Sequence, residues 1–164
     1  MGYLRIMYVW DNTVGSSKRV NETVLAYIAG FLDGDGCIKG IIEKRLTAKF
    51  GYYAKVTVSF TQHIRNRHVL VWIQNQLKVG TIADYDLPNK QLSEYVIFDS
   101  KFNERLLKNL KRYVVNKSKQ LEFALMILNL KDRSKNEESF KKAILAAQQI
   151  RKLNNYPKTL LVAP

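Results

Sequence analysis

Residues 28–36 constrain this chain more than any other segment does. They read Ile-Ala-Gly-Phe-Leu-Asp-Gly-Asp-Gly, which joins an apolar stretch rich in small residues to two acids and two glycines. Because glycine tolerates positive φ and close backbone approach, we expect the helix over residues 22–33 to end at Gly34 in a tight turn. The turn presents Asp35 at a surface, where its carboxylate is a hard oxygen ligand suited to Mg²⁺.

The composition favours a polyanionic partner. In 164 residues, 27 lysines and arginines outnumber 14 acids and give a formal charge of +13. An excess of this size points to nucleic acid first and to an acidic membrane second. No apolar run approaches the ~18 residues of a membrane-spanning helix. With Cys37 as the only cysteine, a disulfide framework or a thiolate zinc site within one chain is excluded, and we expect a reducing compartment.

Local patterns predict one mixed α+β domain over residues 21–156, between an extension at 1–20 and a tail at 157–164. Asn21 is the expected N-cap of the first helix. Periodicity and turn residues predict the remaining elements. They are strands at 37–47 and 53–62, a helix at 67–77, strands at 81–86 and 92–98, and helices at 101–113, 117–131 and 136–154. This order is typical of α+β folds.

The second predicted strand alternates polar and apolar side chains without a break. One face carries Ala54, Val56, Val58 and Phe60. The other face carries Tyr53, Lys55, Thr57, Ser59 and Thr61. A period of two with one polar row predicts that one face packs on the core while the other faces solvent.

The segment at 28–36 resembles the signature of the LAGLIDADG homing endonucleases, DNA-cutting enzymes usually encoded within introns and inteins. Identities with the signature are Ala29, Gly30, Asp33, Asp35 and Gly36. Apolar replacements are Ile28, Phe31 and Leu32, and Gly34 stands where the signature has alanine. The resemblance extends more weakly over residues 20–150 through the order of elements. It implies an αββαββα core with a curved antiparallel DNA-binding sheet, followed by C-terminal helices.

The same resemblance implies that the first helix packs against its counterpart on a second protein half. Ala26 and Gly30 are four residues apart, so they lie on one helical face and leave a thin surface. Because this chain holds a single copy of the signature, we expect the second half from another chain, as a two-fold homodimer. The interface implied in this way comprises Ala26, Ala29, Gly30 and Asp33. Asp33 is expected to hold the helix ends together rather than to bind metal.

In the family, the carboxylate at the position of Asp35 and the preceding carbonyl, here that of Gly34, bind the metal ions. Mg²⁺ is the expected cofactor, and other hard divalent ions such as Mn²⁺ or Ca²⁺ also suit these ligands. By order and context, Gln62 resembles a residue that orders the water nucleophile, and Lys117 resembles a lysine that polarises it. Family enzymes often place a further basic residue just after the second strand, where this chain has Asn66. That departure leaves the identity of the third basic group open.

The polar row and its neighbours form the candidate DNA surface. A curved sheet can follow the major groove, where each base pair shows a distinct pattern of donors and acceptors. Basic side chains neutralise phosphates, and a glutamate can accept a hydrogen bond from cytosine N4. The candidate contacts are Lys39, Glu43, Arg45, Tyr53, Lys55, Thr57, Ser59, Thr61, Arg65, Arg67 and Lys119.

We therefore expect a site-specific endonuclease that binds a long pseudo-palindromic DNA duplex as a homodimer. The expected reaction is a metal-dependent double-strand break, made by attack of water on the phosphodiesters. Two alternatives stay open: an RNA maturase that binds intron RNA and aids splicing, and a DNA-binding protein of the same fold that does not cut. No membrane partner is expected. The expected location is intracellular, either the cytoplasm of a prokaryote or an organelle.

Overall fold

The computed structural model describes residues 20–154. The predicted tail at 157–164 and the predicted extension, apart from Val20, lie outside the described residues. The helices are α1 (Glu22–Asp35), α2 (Arg67–Leu77), α3 (Ser100–Leu110), α4 (Ser118–Asn129) and α5 (Glu137–Leu153). The strands are β1 (Gly36–Lys44), β2 (Tyr52–His63), β3 (Thr81–Leu87) and β4 (Lys90–Ile97), and a 3₁₀ helix spans Ile64–Asn66. Within this part of the chain, no helix is long and apolar enough to cross a membrane.

The four strands form one antiparallel sheet in the order β1-β2-β4-β3. The central strand β2 pairs with β1 over residues 52–60 and with β4 over residues 58–63. Helix α1 precedes β1 and β2, and α2 precedes β3 and β4. Helices α3, α4 and α5 follow the second pair of strands. This arrangement confirms the predicted α+β class and the αββαββα core.

Helix α1 begins at the predicted cap. The side chain of Asn21 accepts a hydrogen bond from the backbone N–H of Thr23 at 3.0 Å, which satisfies one of the amides that a first turn leaves without a helical partner. Apolar residues on the inward face of the helix then recur at helical spacing. Its buried residues are Leu25, Ile28, Ala29 and Leu32. Burial of this apolar stripe against the sheet is what holds the helix in place.

Helix α1 ends two residues later than predicted. Gly34 does not terminate it and is not among the described glycines with positive φ. The helix continues through Asp35, and the N–H of Gly36 donates to the carbonyl of Leu32. Asp35 therefore projects from the last helical turn, and β1 follows directly without an intervening loop.

Strand β1 ends three residues before its predicted end, at Lys44. Arg45 begins the loop of residues 45–51, which is closed by a hydrogen bond of 2.9 Å from the N–H of Arg45 to the carbonyl of Gly51. Gly51 has φ 73°, a left-handed conformation that favours glycine. Arg45 consequently lies at the base of the loop between β1 and β2 and not within the strand.

The helices pack on one face of the sheet, which buries the apolar row predicted for β2. The ring of Phe60 stacks 5.9 Å from Phe31 of α1 and 5.9 Å from Tyr95 of β4. Gly40 permits a close approach of α5, because a Cβ there would lie 2.8 Å from the Cα of Ala147. The core thus fixes α1 and β2 against each other, and with them the residues at their ends.

Candidate active site and nucleic-acid interface

The sheet register brings Asp35 and Gln62 together. Gly36 pairs with Phe60 at the start of β1, so the residue before Gly36 lies beside the end of β2. Nε2 of Gln62 donates to Oδ2 of Asp35 at 2.6 Å. Oε1 of Gln62 accepts in turn from Nδ2 of Asn66 at 3.2 Å. Because an amide has a donor end and an acceptor end, Asn66 orients Gln62 with its N–H toward the carboxylate.

Asp33 fixes the loop that carries Lys117. Its carboxylate accepts hydrogen bonds from the backbone N–H groups of Val115, Asn116 and Lys117 at 2.7, 3.1 and 3.0 Å. Its own carbonyl accepts from Nζ of Lys117 at 2.6 Å. The structure therefore shows Asp33 binding a loop of its own chain, and its place in a dimer interface stays a prediction. The predicted catalytic lysine is held at the same end of α1 as Asp35.

The environment of Asp33 favours its charged form. Partial burial raises the pKa of Asp33, but the backbone N–H groups of Val115, Lys117 and Asn116 lower it, as does the charge of Lys117. The lowering contributions together prevail, so the pKa lies below its ordinary value. The carboxylate is therefore ionised at neutral pH and can bind three amides of the loop at once.

The ligands at the end of α1 suit a hard divalent ion but do not complete a site within one chain. Asp35 is exposed, and Gln62 occupies one of its two carboxylate oxygens. The carbonyl of Gly34 belongs to the last turn, whose carbonyls lack helical partners. Among residues 20–154 there is no group of three or more histidine, cysteine or acidic side chains that could hold a metal ion. Mg²⁺ accepts such a sparse oxygen set when water and substrate phosphates supply the other ligands.

The outer face of α1 carries small residues that the chain does not cover. Ala26 and Gly30 are exposed, whereas Ala29 is fully buried in the chain's own core and so is not available to a partner, contrary to its prediction. A Cβ added at Gly30 or at Gly34 would meet no atom within 4 Å. A glycine inside a helix is less favourable than alanine by about 1 kcal/mol. Packing within this chain therefore accounts for neither glycine.

The sheet face opposite the helices carries the predicted DNA contacts of β1 and β2, and two of its lysines form ion pairs. Nζ of Lys39 on β1 lies 2.8 Å from Oε1 of Glu94 on β4. Nζ of Lys55 lies 3.1 Å from Oε2 of Glu43. Positive charge on this face is thus partly neutralised in the free chain. Glu94, which was not among the predicted contacts, lies on the same face.

Thr57 and Ser59 are buried, which corrects the expectation of a fully solvated polar row. Their exposed fractions are 2% and 1%. Lys39 pairs with Thr57 across β1 and β2, and Glu94 pairs with Thr61 across β2 and β4. The bond between the two charged side chains therefore crosses β2 above Ser59. The short hydroxyl side chains lie beneath the longer charged ones.

Comparison with known proteins identifies the family of this chain. The family model of the LAGLIDADG endonucleases matches residues 28–130, a range that begins at the signature and includes Gln62 and Lys117. The chain belongs to the LAGLIDADG homing endonuclease family. It is 28% identical over 140 residues to DNA endonuclease I-CreI of Chlamydomonas reinhardtii, covering 85% of this chain and 83% of that protein. It is 27% identical over 143 residues to DNA endonuclease I-CvuI of Chlorella vulgaris, covering 87% of each.

Solved structures of LAGLIDADG enzymes have the same fold. I-CvuI bound to DNA matches this chain with a TM-score of 0.74 and 26% identity, over 84% of this chain and 85% of I-CvuI. One I-CvuI structure holds the I-CreI target in 2 mM Mg with the DNA not cleaved, and another holds its own target in 2 mM Ca. The fold inferred from the signature is thereby confirmed.

Two predicted DNA-binding arginines differ in what they contact in this LAGLIDADG chain. Nε of Arg67 donates to Asp84 of β3 at 3.0 Å, and Asp84 also accepts from Ser93 at 2.7 Å. The hydrogen bonds from Ser93 and Arg67 lower the pKa of Asp84. Arg67 is thus tied to the sheet edge, whereas Arg65 and Lys119 are exposed. The assignment of these three residues to DNA stays a prediction. Arg67 would have to break its hydrogen bond with Asp84 before it could bind a phosphate.

Tyr53 contacts a buried arginine that no sequence pattern identified. The hydroxyl of Tyr53 accepts from Nη2 of Arg133 at 2.9 Å, and Nη1 of Arg133 donates to the carbonyl of Leu130 at 2.9 Å. The guanidinium of Arg45 lies 4.9 Å from the centre of the Tyr53 ring. Arg133 is only 8% exposed and ties the loop after α4 to β2. No local pattern identifies it, because its partners come from distant parts of the chain.

Proposed function

We propose that this protein is a homodimeric, metal-dependent homing endonuclease that cuts both strands of a long duplex DNA site. The observation that carries the proposal is the convergence of Asp35, Gln62 and Lys117 at the C-terminal end of α1. They provide a carboxylate, a polar amide and a cation. Hydrolysis of a phosphodiester by water needs groups of these kinds to hold a metal, to orient water and to stabilise developing negative charge.

The outer face of α1 supports assembly of two copies. Gly30 and Gly34 lie in a helix where the chain itself does not need glycine. Their absence of side chains suits close approach of a second helix. Since a two-fold axis places the same face on both partners, pairing through α1 brings the two Asp35 carboxylates near each other. One carboxylate for each DNA strand is what a double-strand cut requires.

The ligand set supports a hard divalent ion such as Mg²⁺. The Asp35 carboxylate and the Gly34 carbonyl would hold it, and when bound it would lower the pKa of coordinated water and offset charge on the phosphate. The relative I-CvuI was studied on DNA in Mg and in Ca, which accords with divalent ions at this position.

The chain's own residues prepare the site before substrate arrives. Gln62 holds Asp35 in one orientation through a short hydrogen bond, and Asn66 fixes the amide of Gln62. Asp33 fixes Lys117 through two hydrogen bonds: its carboxylate accepts from the backbone N–H of Lys117, and its carbonyl accepts from the ammonium group. Preorganised groups of this kind need not be ordered at the moment of reaction.

Duplex DNA is the substrate that the charge distribution supports. The formal charge of +13 favours a polyanion, and the sheet face opposite the helices presents lysines, arginines, glutamates and hydroxyls together. Mixed donors and acceptors suit base edges in the major groove better than they suit phosphate alone. The relatives I-CreI and I-CvuI are DNA endonucleases, and I-CvuI was solved on its target.

The test is cleavage of DNA sites recovered by the protein itself. Duplexes are selected from a randomised library by binding in EDTA, cloned into a supercoiled plasmid, and incubated with protein and Mg²⁺. We expect linear plasmid from the wild type and none with EDTA. Asp35→Asn should bind the selected sites but leave the plasmid supercoiled. Asp132→Asn, which removes an exposed acid between α4 and α5, is the matched control and should cut.

Sedimentation of the same samples tests the assembly. A sedimenting species of two chains, together with linear rather than nicked plasmid, is the expected result. Tight binding without cutting in any divalent ion would contradict the nuclease and support a DNA-binding protein. Cutting that survives Asp35→Asn would contradict the assigned carboxylate.

A further inference from the structure

The ion pair of Lys39 and Glu94 differs from an ordinary surface salt bridge. It joins β1 to β4, which are not neighbours in the sheet, and crosses the central strand β2. The two side chains are 30% and 21% exposed. By comparison, the pair of Lys142 and Glu138 along one face of α5 is 58% and 76% exposed. The Lys39–Glu94 pair therefore occupies a recessed position at the centre of the sheet face.

A hydroxyl without a partner lies beneath this pair. Oγ of Ser59 is buried and has no hydrogen-bond partner among the described residues. Buried polar atoms in proteins are nearly always bonded, so an exception calls for an explanation. Since the Lys39–Glu94 bond crosses β2 above Ser59, a ligand reaches that hydroxyl only after the pair opens.

The pair selects what can open it. If a phosphate bound Lys39 alone, Glu94 would be left unpaired, partly desolvated and close to a polyanion, which is strongly unfavourable. A ligand that offers an acceptor to Lys39 and a donor to Glu94 at the same time replaces both halves of the bond. The pair thus resists binding to phosphate and favours a base edge that carries both kinds of group.

We infer that Lys39 and Glu94 together recognise one G·C base pair in the major groove. Lys39 donates to O6 or N7 of guanine, and Glu94 accepts from N4 of cytosine. Guanine presents two adjacent acceptors and cytosine one donor, which matches one cation beside one carboxylate. An A·T pair places its donor between two acceptors and adds the thymine methyl group, a poorer match. The inference rests on the proposed function, because it requires duplex DNA on this face of the sheet.

The experiment uses the full-length chain and the sites selected from the randomised duplex library in EDTA. Dissociation constants are measured by fluorescence anisotropy for the selected duplex and for duplexes in which each base pair in turn is replaced, G·C by A·T and A·T by G·C. The same set is measured for Glu94→Gln and for Lys39→Met. Glu138→Gln is the matched control, because it removes one acid that pairs with a lysine at 2.6 Å on α5. Thermal unfolding of each variant confirms that it is folded.

The expected result is one G·C position in each half-site, at which replacement lowers the affinity of the wild type by about tenfold or more. Glu94→Gln and Lys39→Met should each abolish the preference at that position, and Glu138→Gln should keep it. Glu94→Gln should also bind unselected duplex more tightly. Its dependence of log affinity on log salt should steepen by about one, because Lys39 becomes able to bind a phosphate. Lys39→Met should show no such steepening.

Three outcomes would overturn the inference. Glu94→Gln could keep the wild-type preference at every position, or change it no more than Glu138→Gln does. The lost preference could fall at an A·T pair, which would refute the base assignment. A wild-type chain that binds no duplex at all would instead refute the proposed function, and the inference with it, so the two failures are distinguishable.

Discussion

Gln62 donates a hydrogen bond of 2.6 Å from Nε2 to Oδ2 of Asp35, a residue 27 positions earlier in the chain. The contact joins the end of β2 to the end of α1. It leaves the other carboxylate oxygen of Asp35 available to the proposed metal ion and sets the direction in which that oxygen points. Asn66 completes the arrangement from the far side of the Gln62 amide.

Replacing Asn66 by aspartate should impair catalysis without impairing DNA binding. The introduced carboxylate is not able to donate to Oε1 of Gln62, so the Gln62 amide is expected to turn its N–H toward that carboxylate and its oxygen toward Asp35. Loss of one oriented hydrogen bond corresponds to a fall in cleavage rate of about tenfold. Single-turnover cleavage and anisotropy measure the two effects separately.

The control for this prediction is Asn75→Asp, the same change at an exposed position of α2. It should leave the single-turnover rate at the wild-type value. An unchanged rate for Asn66→Asp, or a loss of DNA binding as large as the loss of rate, would contradict a positioning role for Asn66.

Replacing Asp33 by asparagine should destabilise the fold at neutral pH by about 2 kcal/mol, the scale of hydrogen bonds to a charged group. Because the pKa of Asp33 is lowered in the folded chain, its contribution is present above its ordinary pKa and is lost as pH falls through the folded value. Urea unfolding of the wild type should therefore show a loss of stability as the pH falls below 3.8, the ordinary pKa of the group, and this loss should be smaller in the variant. Asp86→Asn, an exposed aspartate of β3, controls for the removal of one negative charge. Equal pH dependence in the wild type and Asp33→Asn would refute the assignment.

Replacing Gly30 by leucine should separate the proposed dimer into folded monomers. A Cβ at Gly30 meets no atom of its own chain within 4 Å, so the monomer should tolerate the side chain. At a close helix–helix contact, an added leucine costs about 1–3 kcal/mol, and two-fold symmetry applies that cost twice. Sedimentation should show a dimer dissociation constant raised by tenfold or more, with unchanged circular dichroism. Lys141→Leu, on the exposed surface of α5, should leave the association as it is in the wild type.

Two buried serines should respond oppositely to alanine. Ser59 has no described hydrogen-bond partner, whereas the hydroxyl of Ser93 donates to Asp84 at 2.7 Å. Ser59→Ala removes a desolvated group and should raise the free energy of unfolding by up to about 1 kcal/mol. Ser93→Ala removes a satisfied bond and should lower it by about 1 kcal/mol or more. Urea denaturation of the three proteins in parallel checks the signs, and destabilisation by Ser59→Ala would show that its hydroxyl is bonded in the free chain.

Much of the architecture was predictable because it depends on neighbours in sequence. The cap at Asn21 and the alternation along β2 each reflect a repeat of a few residues, which a single chain displays directly. The end of α1 was mispredicted at Gly34, since glycine permits a helix to end but does not require it. The N–H of Gly36 and the immediate start of β1 decide the boundary instead.

The chemical types of the candidate site were also predictable, since the segment at 28–36 displays them in order. Their contacts were not. Asn66 appeared in the sequence as a missing cation, and the structure shows it as the partner of Gln62. Asp33 was predicted only for an interface, and the structure adds its hydrogen bonds to the backbone of the loop before Lys117.

The sequence by itself determined the family, the order of elements and which residues carry carboxylate, amide and ammonium groups. The tertiary structure alone decided which of these groups meet. Lys39 and Glu94 are 55 positions apart, on strands that are not adjacent. Their bond forms because the pairing of β1 with β2 and the pairing of β4 with β2 place the two side chains close together across β2. Local patterns are set by backbone geometry over a few residues, whereas such contacts depend on how the helices and strands pack together.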